Sequence, residues 1–150
     1  MNQELLDKIA AYKAKGFEVP DEDMIKTPEQ IAGIREACKI NTAVLDEVAK
    51  HIKAGMTTAE IDKIVYDFTV AQGATPAPLG FCGFPKSVCT SINDQVCHGI
   101  PSEHDVLKSG DIVNVDVSTI YNGYYALPRK SKHHCPQNRT RTIWSAQSLR

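Results

Sequence analysis

Gly110-Asp111-Ile112-Val113-Asn114-Val115-Asp116-Val117-Ser118-Thr119-Ile120-Tyr121-Asn122-Gly123-Tyr124-Tyr125-Ala126 is the stretch on which the fold turns. Val113, Val115 and Val117 recur at every second residue, and Asn114, Asp116 and Ser118 fill the alternate positions. That is the period of a half-buried strand, predicted over residues 111–121. Asn122-Gly123 is the pair that a type I′ turn demands, so Tyr124-Tyr125-Ala126 begins an antiparallel partner. Upstream, residues 87–92 read as a strand, Asn93-Asp94 as its turn and residues 95–98 as a returning strand. Residues 74–85 read as a loop rich in proline, glycine and aromatics.

Before Gly73 the period changes to that of a helix. Leu5, Leu6, Ile9 and Tyr12, with Gly16 behind them, predict a short helix over residues 4–15. Thr27 can cap a second helix, with Pro28 at its first position and Glu29 at the positive end of the dipole. Its apolar stripe is Ile31, Ile34, Cys38, Leu45, Val48 and Ile52. Thr57-Thr58-Ala59-Glu60 is a capping box for a third, whose Ile61, Ile64, Val65 and Phe68 share a face. Core packing accounts for both stripes. Helices followed by antiparallel strands predict an α+β fold, with the helices packed on an antiparallel sheet.

Composition agrees with a soluble globular domain: 150 residues, 42% apolar and 23% charged. No run of about 18 apolar residues could span a bilayer. The first residues carry neither a basic patch nor an apolar core, so no secretory signal is expected. Five cysteines without a CxxC pair suggest reduced thiols and a cytoplasmic location. Charge changes abruptly near Leu127. The last 24 residues hold 6 of the 17 basic side chains and none of the 18 acidic ones. Pro128 and the cations Arg129, Lys130 and Lys132 stand where the hairpin's second strand should continue, and no period follows. Residues 127–150 are therefore expected to be disordered, and a single Trp144 is too little for a nucleic-acid platform. His133-His134-Cys135 are adjacent, and three consecutive side chains cannot turn toward one ion.

Several residues could carry chemistry. Asp116 lies mid-strand among valines, where a carboxylate must be solvated, hydrogen-bonded or bound to a cation. On spacing alone a solvent-facing polar strip is the simpler account, and a metal or catalytic role the alternative. His98 precedes a Gly-Ile-Pro break and reads first as structural, and Cys97 beside it as a small buried hydrophobe. Gly80-Phe81-Cys82-Gly83-Phe84-Pro85 fits either a plain turn or the wall of an apolar pocket.

Three of these runs together carry a resemblance. Phe84-Pro85-Lys86-Ser87-Val88-Cys89-Thr90-Ser91-Ile92-Asn93, Val96-Cys97-His98-Gly99-Ile100-Pro101 and Gly110-Asp111-Ile112-Val113-Asn114-Val115-Asp116-Val117 closely resemble type I methionine aminopeptidases. The run Ile25-Lys26-Thr27-Pro28-Glu29 is similar too, and the likeness covers roughly residues 24–126. It implies the pita-bread fold, two α/β halves around a dinuclear metal site, and removal of the initiator methionine from nascent polypeptides. By the same resemblance Asp116 is a metal ligand, His98 is catalytic and touches the substrate, and Phe81, Phe84 and Cys89 line the methionine pocket. Phenylalanine replaces the tyrosines usual at two of those positions. Two divalent ions (Co, Mn, Fe or Zn) are implied, which would activate a water and polarise the scissile carbonyl.

The resemblance stops at one residue. The second metal aspartate of that family falls at Leu127, and its remaining histidine and two glutamates belong to a second half. A reading-frame shift near codon 126 would explain the lost likeness, the lost strand pattern and the lost acids together. The resulting expectation is an extension over residues 1–23, an N-terminal half-domain over 24–126 and an unrelated basic tail over 127–150. Such a chain would be inactive and would not retain its metals. The alternatives are a prolidase- or creatinase-like protein of the same fold, or a non-catalytic fragment that binds the ribosome, a nascent chain or a partner. No membrane is expected as a partner, and no nucleic acid beyond nonspecific contacts of the tail.

Overall fold

The computed structural model describes residues 3–19, 24–126 and, as backbone, 143–145. The chain divides into two compact units, Met1–Ile31 and Ala32–Arg150. In the first, α1 (Gln3–Ala14) buries no residue. It ends as its glycine predicts: Gly16 takes φ +79°, and Gly16 N and Phe17 N donate to the carbonyls of Lys13 and Tyr12. The Tyr12 and Phe17 rings meet edge to face, 5.9 Å apart, across this cap. α2 (Pro28–His51) starts where Thr27 and Gln30 cap each other, side chain to backbone N–H, at 3.2 and 2.9 Å.

In the second unit, α3 (Thr58–Ala71) carries the predicted capping box between Thr57 and Glu60. The strands are β1 (Thr75–Pro76), β2 (Cys89–Ile92), β3 (Ile112–Asp116), β4 (Thr119–Tyr121), β5 (Tyr124–Ala126) and β6 (Ile143–Ser145). They form two antiparallel sheets, ordered β1-β4-β5 and β2-β3-β6. The core is where α2 and α3 lie against the valine face of β3. Val44, Val48, Ile61, Val65, Val88, Val113, Val115 and Val117 are all fully buried in it. Removing these branched side chains from water drives the packing of helix on strand. The expected α+β arrangement holds. Among the described residues, no helix is long and apolar enough to cross a membrane.

Five local expectations need correction. The strand predicted over 111–121 is two, because the chain leaves one sheet at Val117-Ser118 and enters the other. The Val117 carbonyl accepts from Asn41 Nδ2 of α2 at 3.2 Å, and the Ser118 carbonyl from Ala77 N at 2.8 Å. Residues 95–98 form no strand, and β2 pairs with β3 instead. Asn93, at φ +53°, joins them: its amide group donates to Asp111 at 2.9 Å and accepts from Ile112 N at 3.0 Å. That bond, with a second from Lys108 N, holds the Asp111 carboxyl below the usual carboxylate range. The loop over 74–85 contains β1, paired to β4. Ile31 is exposed, and the buried stripe of α2 runs from Ala37 through Asn41, Val44, Leu45 and Val48. Within the segment expected to be disordered, the backbone of Ile143–Ser145 pairs with β3, whose outer edge would otherwise be unpaired. Leu127, His133, His134 and Cys135 lie outside the described residues.

Candidate functional site

Register decides which side chains meet. Cys89 stands opposite Asp116, and Ser91 opposite Asn114. Directly opposed residues of an antiparallel pair share a face, so these four project away from the valine core. This face is not the solvent-facing strip that spacing alone favours. Ser91 and Asn114 are buried, Cys89 is 9% exposed and Asp116 is half-buried. The segment around Gly99 covers part of it: Thr90 N donates to the Gly99 carbonyl at 2.9 Å, and Gly99 N to Ser91 Oγ at 3.3 Å. A methyl group on Gly99 would collide with the Thr90 carbonyl, so only glycine fits.

Beside this face lies a cavity of about 670 Å³. Cys89 and Asp116 line it from the sheet, and Ser118 from the strand break. Phe81, Cys82 and Phe84 line it from a tight turn. In that turn Gly80, Cys82 and Gly83 all have positive φ, and Gly80 N donates to the Phe84 carbonyl at 2.8 Å. His98, at φ +55°, and Ile100 line it from the covering segment, and Tyr125 from β5. Asp62 of α3 anchors the chain that leaves the turn: its carboxylate accepts from Ser87 N at 2.7 Å and lies 3.7 Å from Lys86 Nζ.

The five residues singled out in the sequence, Phe81, Phe84, Cys89, His98 and Asp116, thus line one cavity. Cys97 does not behave as expected: it is exposed rather than buried, because the chain around His98 turns instead of running as a strand. Cys82 lies within the run read as either a turn or a pocket wall, whereas reading by sequence passed over Ile100, Ser118 and Tyr125 as lining and Asp62 as an anchor. Only Ser118 carried a signal, its place on the polar side of the alternating strand. Burial and the nearby charge of Asp116 push the Cys89 thiol up to about 11, so it is a neutral, soft wall at neutral pH.

The donor set bears on metal binding. The cavity offers one carboxyl, Asp116, and one imidazole, His98, beside the exposed thiol of Cys82 and the buried thiol of Cys89, whose raised pKa makes it a poor ligand. Among the described residues, no group of three or more His, Cys, Asp or Glu side chains could hold an ion. The described residues therefore do not fit a pair of divalent ions.

The profile of metallopeptidase family M24 matches residues 32–127. Methionine aminopeptidase 1 of Saccharomyces cerevisiae is 52% identical over 98 residues, which are 65% of this chain and 25% of that protein. The methionine aminopeptidase of Haemophilus influenzae is 50% identical over 102 residues, 67% of this chain and 38% of that one. The crystal structure of methionine aminopeptidase from Rickettsia prowazekii superposes with a TM-score of 0.66 at 44% identity, over 67% of this chain and 40% of that one. An Escherichia coli aminopeptidase P superposes at 0.56 with 21% identity over 67% of this chain and 21% of that one, a likeness of fold alone. The chain spans only about a quarter to two-fifths of the length of the methionine aminopeptidases it matches.

Proposed function

This chain belongs to metallopeptidase family M24, and from that premise we propose that it carries the first half of a methionine aminopeptidase site. Its architecture is the N-terminal half of the pita-bread fold. The observation that carries the reading is the convergence of Phe81, Phe84, Cys89, His98 and Asp116 on one cavity. The proposed substrate is the initiator methionine of a nascent polypeptide. Its thioether chain would lie against Phe81, Phe84 and the neutral Cys89, where apolar and polarizable groups suit sulfur. Burying such a side chain contributes roughly 1.5–3 kcal/mol before the costs of binding. His98 stands at the same cavity, as a donor to the substrate's reacting end. Asp116 supplies one carboxylate, toward a divalent ion or the substrate ammonium.

The activity of the relatives is not carried over whole. M24 chemistry requires divalent ions, which would supply an activated water and a polarised carbonyl. The donor set of the described residues does not fit them, and Leu127 stands where the resemblance places a second aspartate. No catalytic step is therefore assigned, and the proposal is a chain that binds a methionyl end without hydrolysing it. Two measurements test it. L-Methioninamide at millimolar concentration should shift the NMR resonances of Phe81, Phe84 and His98, whereas L-lysinamide should not; equal responses would remove the methionine reading. Metal analysis with Met-Ala-Ser as substrate should find fewer than two tightly bound ions and no free methionine. Two ions with turnover would overturn the inactive assignment.

A further inference from the structure

The aromatic wall of the cavity is a turn whose hydrogen bonds close on themselves. Phe81 N donates to the Pro78 carbonyl at 3.0 Å, Gly80 N to that of Phe84 at 2.8 Å and Phe84 N to that of Phe81 at 2.9 Å. Among the described residues, no hydrogen bond of residues 80–84 reaches a strand or helix outside this turn. The turn is thus one body, fixed to the molecule by its two stems. On the entry side Ala77 N donates to the Ser118 carbonyl at 2.8 Å. On the exit side the fixture is a single side chain, Asp62 of α3, and both of its oxygens are engaged. Oδ1 accepts from Ser87 N at 2.7 Å, and Oδ2 lies 3.7 Å from Lys86 Nζ. The Asp62 side chain is only 14% exposed, and a hydrogen bond to a carboxylate is strong where water competes little. Its neighbour Ile61 is fully buried, which ties the carboxylate to the packed core.

We propose that Asp62 is a specificity-determining positioning residue: by holding the stem at Lys86 and Ser87 it sets the spacing between Phe81 and Phe84 on one wall and Cys89 on the other. Asp62 does not itself line the cavity, so it acts only through that wall. Pro85, with φ fixed by its ring, transmits the anchor back to Phe84, and Cys89 follows two residues beyond Ser87. A chain without the anchor keeps one stem, and Phe81, 72% exposed, has little packing to return it to its place. The consequence is a wider slot that no longer favours a slender, unbranched side chain over a broad one. This inference rests on the methionyl-binding reading above, and it adds the residue that gives that pocket its width.

The test compares the affinities of L-methioninamide and L-phenylalaninamide for the full chain by NMR titration, in the parent and in three variants. The parent should favour methioninamide by about tenfold, the lower range for discrimination by apolar fit. Asp62→Asn keeps an acceptor for Ser87 N and should stay within about twofold of the parent ratio. Asp62→Leu keeps the volume without the acceptor and should bring the ratio to about one. Asp62→Glu keeps charge and acceptor but lengthens the reach by one methylene, and should lower the ratio to about threefold, so the test does not depend on the leucine variant folding. In the ligand-free chain the Ser87 amide should exchange about tenfold faster in Asp62→Leu than in the parent, with the Phe81 and Phe84 resonances displaced. A purely structural role would lower the folded fraction and leave the ratio unchanged. A parent-like ratio in whichever of Asp62→Leu and Asp62→Glu folds, or an Asp62→Asn chain that loses the preference completely, overturns the proposal. A parent that favours neither amide removes the methionyl reading instead. The positioning role is then decided without ligand: phenylalanine resonances unmoved in both Asp62→Leu and Asp62→Glu overturn it, and resonances moved there but not in Asp62→Asn support it.

Discussion

The two faces of β3 are built from neighbouring residues and obey opposite rules. Val113, Val115 and Val117 are fully buried against α2 and α3. Asn114 and Asp116 face the other way, toward Ser91, Cys89 and the cavity. On the first face the free energy lies in excluded water and tight packing, so shape and polarity are both constrained. On the second, polar groups are held half out of water at a cost in stability, leaving an acid available for binding. A strand can divide its labour in this way because its side chains alternate.

The contrast can be broken most directly at its centre. Val115→Asp places an unpaired carboxylate in the core and should cost more than about 4 kcal/mol, enough to abolish cooperative unfolding in urea. A folded Val115→Asp chain would mean that this face is not the core. Gly99→Ala tests how the cavity face is covered. The added methyl meets the Thr90 carbonyl, and a loss of about 1–3 kcal/mol is expected, with displacement of the His98 resonances. A fully stable Gly99→Ala chain would show that the covering segment is not pressed against β2.

Alkaline titration probes Cys89. Its pKa is raised to about 11 in the folded chain, against about 8.5 for an unfolded thiol. Between these values the folded state holds a proton that the unfolded state has lost. Stability is thus complete below about pH 8.5 and falls as pH rises to about 11. Cys89→Ser should flatten that stretch of the stability–pH curve, and an unchanged slope would refute the burial of the thiol. Asn41→Ala removes the bond to the Val117 carbonyl and should cost about 1–2 kcal/mol by denaturant titration, since a buried acceptor is left unpaired. The smallest effect belongs to Asp116→Asn, expected within about 1 kcal/mol of the parent by thermal unfolding. A large loss there would mean that Asp116 is a structural acid rather than one available to a ligand.

Much of this molecule could be read from local pattern. Thr57 and Glu60 cap α3, and Asn122-Gly123, with φ of 48° and 79°, make the hairpin their residue types demand. These are contacts between near neighbours, and the residues that make them are adjacent in the text. The candidate site was legible through a resemblance carried by long runs, and its five residues do share a cavity. Cys97 and residues 95–98 were misread because alternation over four residues cannot say whether a second strand will accept the pairing. The partner of β2 came instead from residues 112–116, with Asn93 and Asp111 closing the register. Cys82 belongs to the run that reads as either a turn or a pocket wall, and the backbone turn decides for the wall.

The amino-acid order by itself determined the three helices and their caps, the hairpin turn at Asn122-Gly123, which valines share a face, and where the likeness to a metallopeptidase ends. Only the tertiary structure decided that the long strand breaks after Asp116, that the polar face closes around a cavity, and which thiols are exposed. The reason is range: period and caps act over a few residues, whereas the break is held by Asn41, 76 positions away from Val117, and a contact across such a distance exists only once the chain has folded.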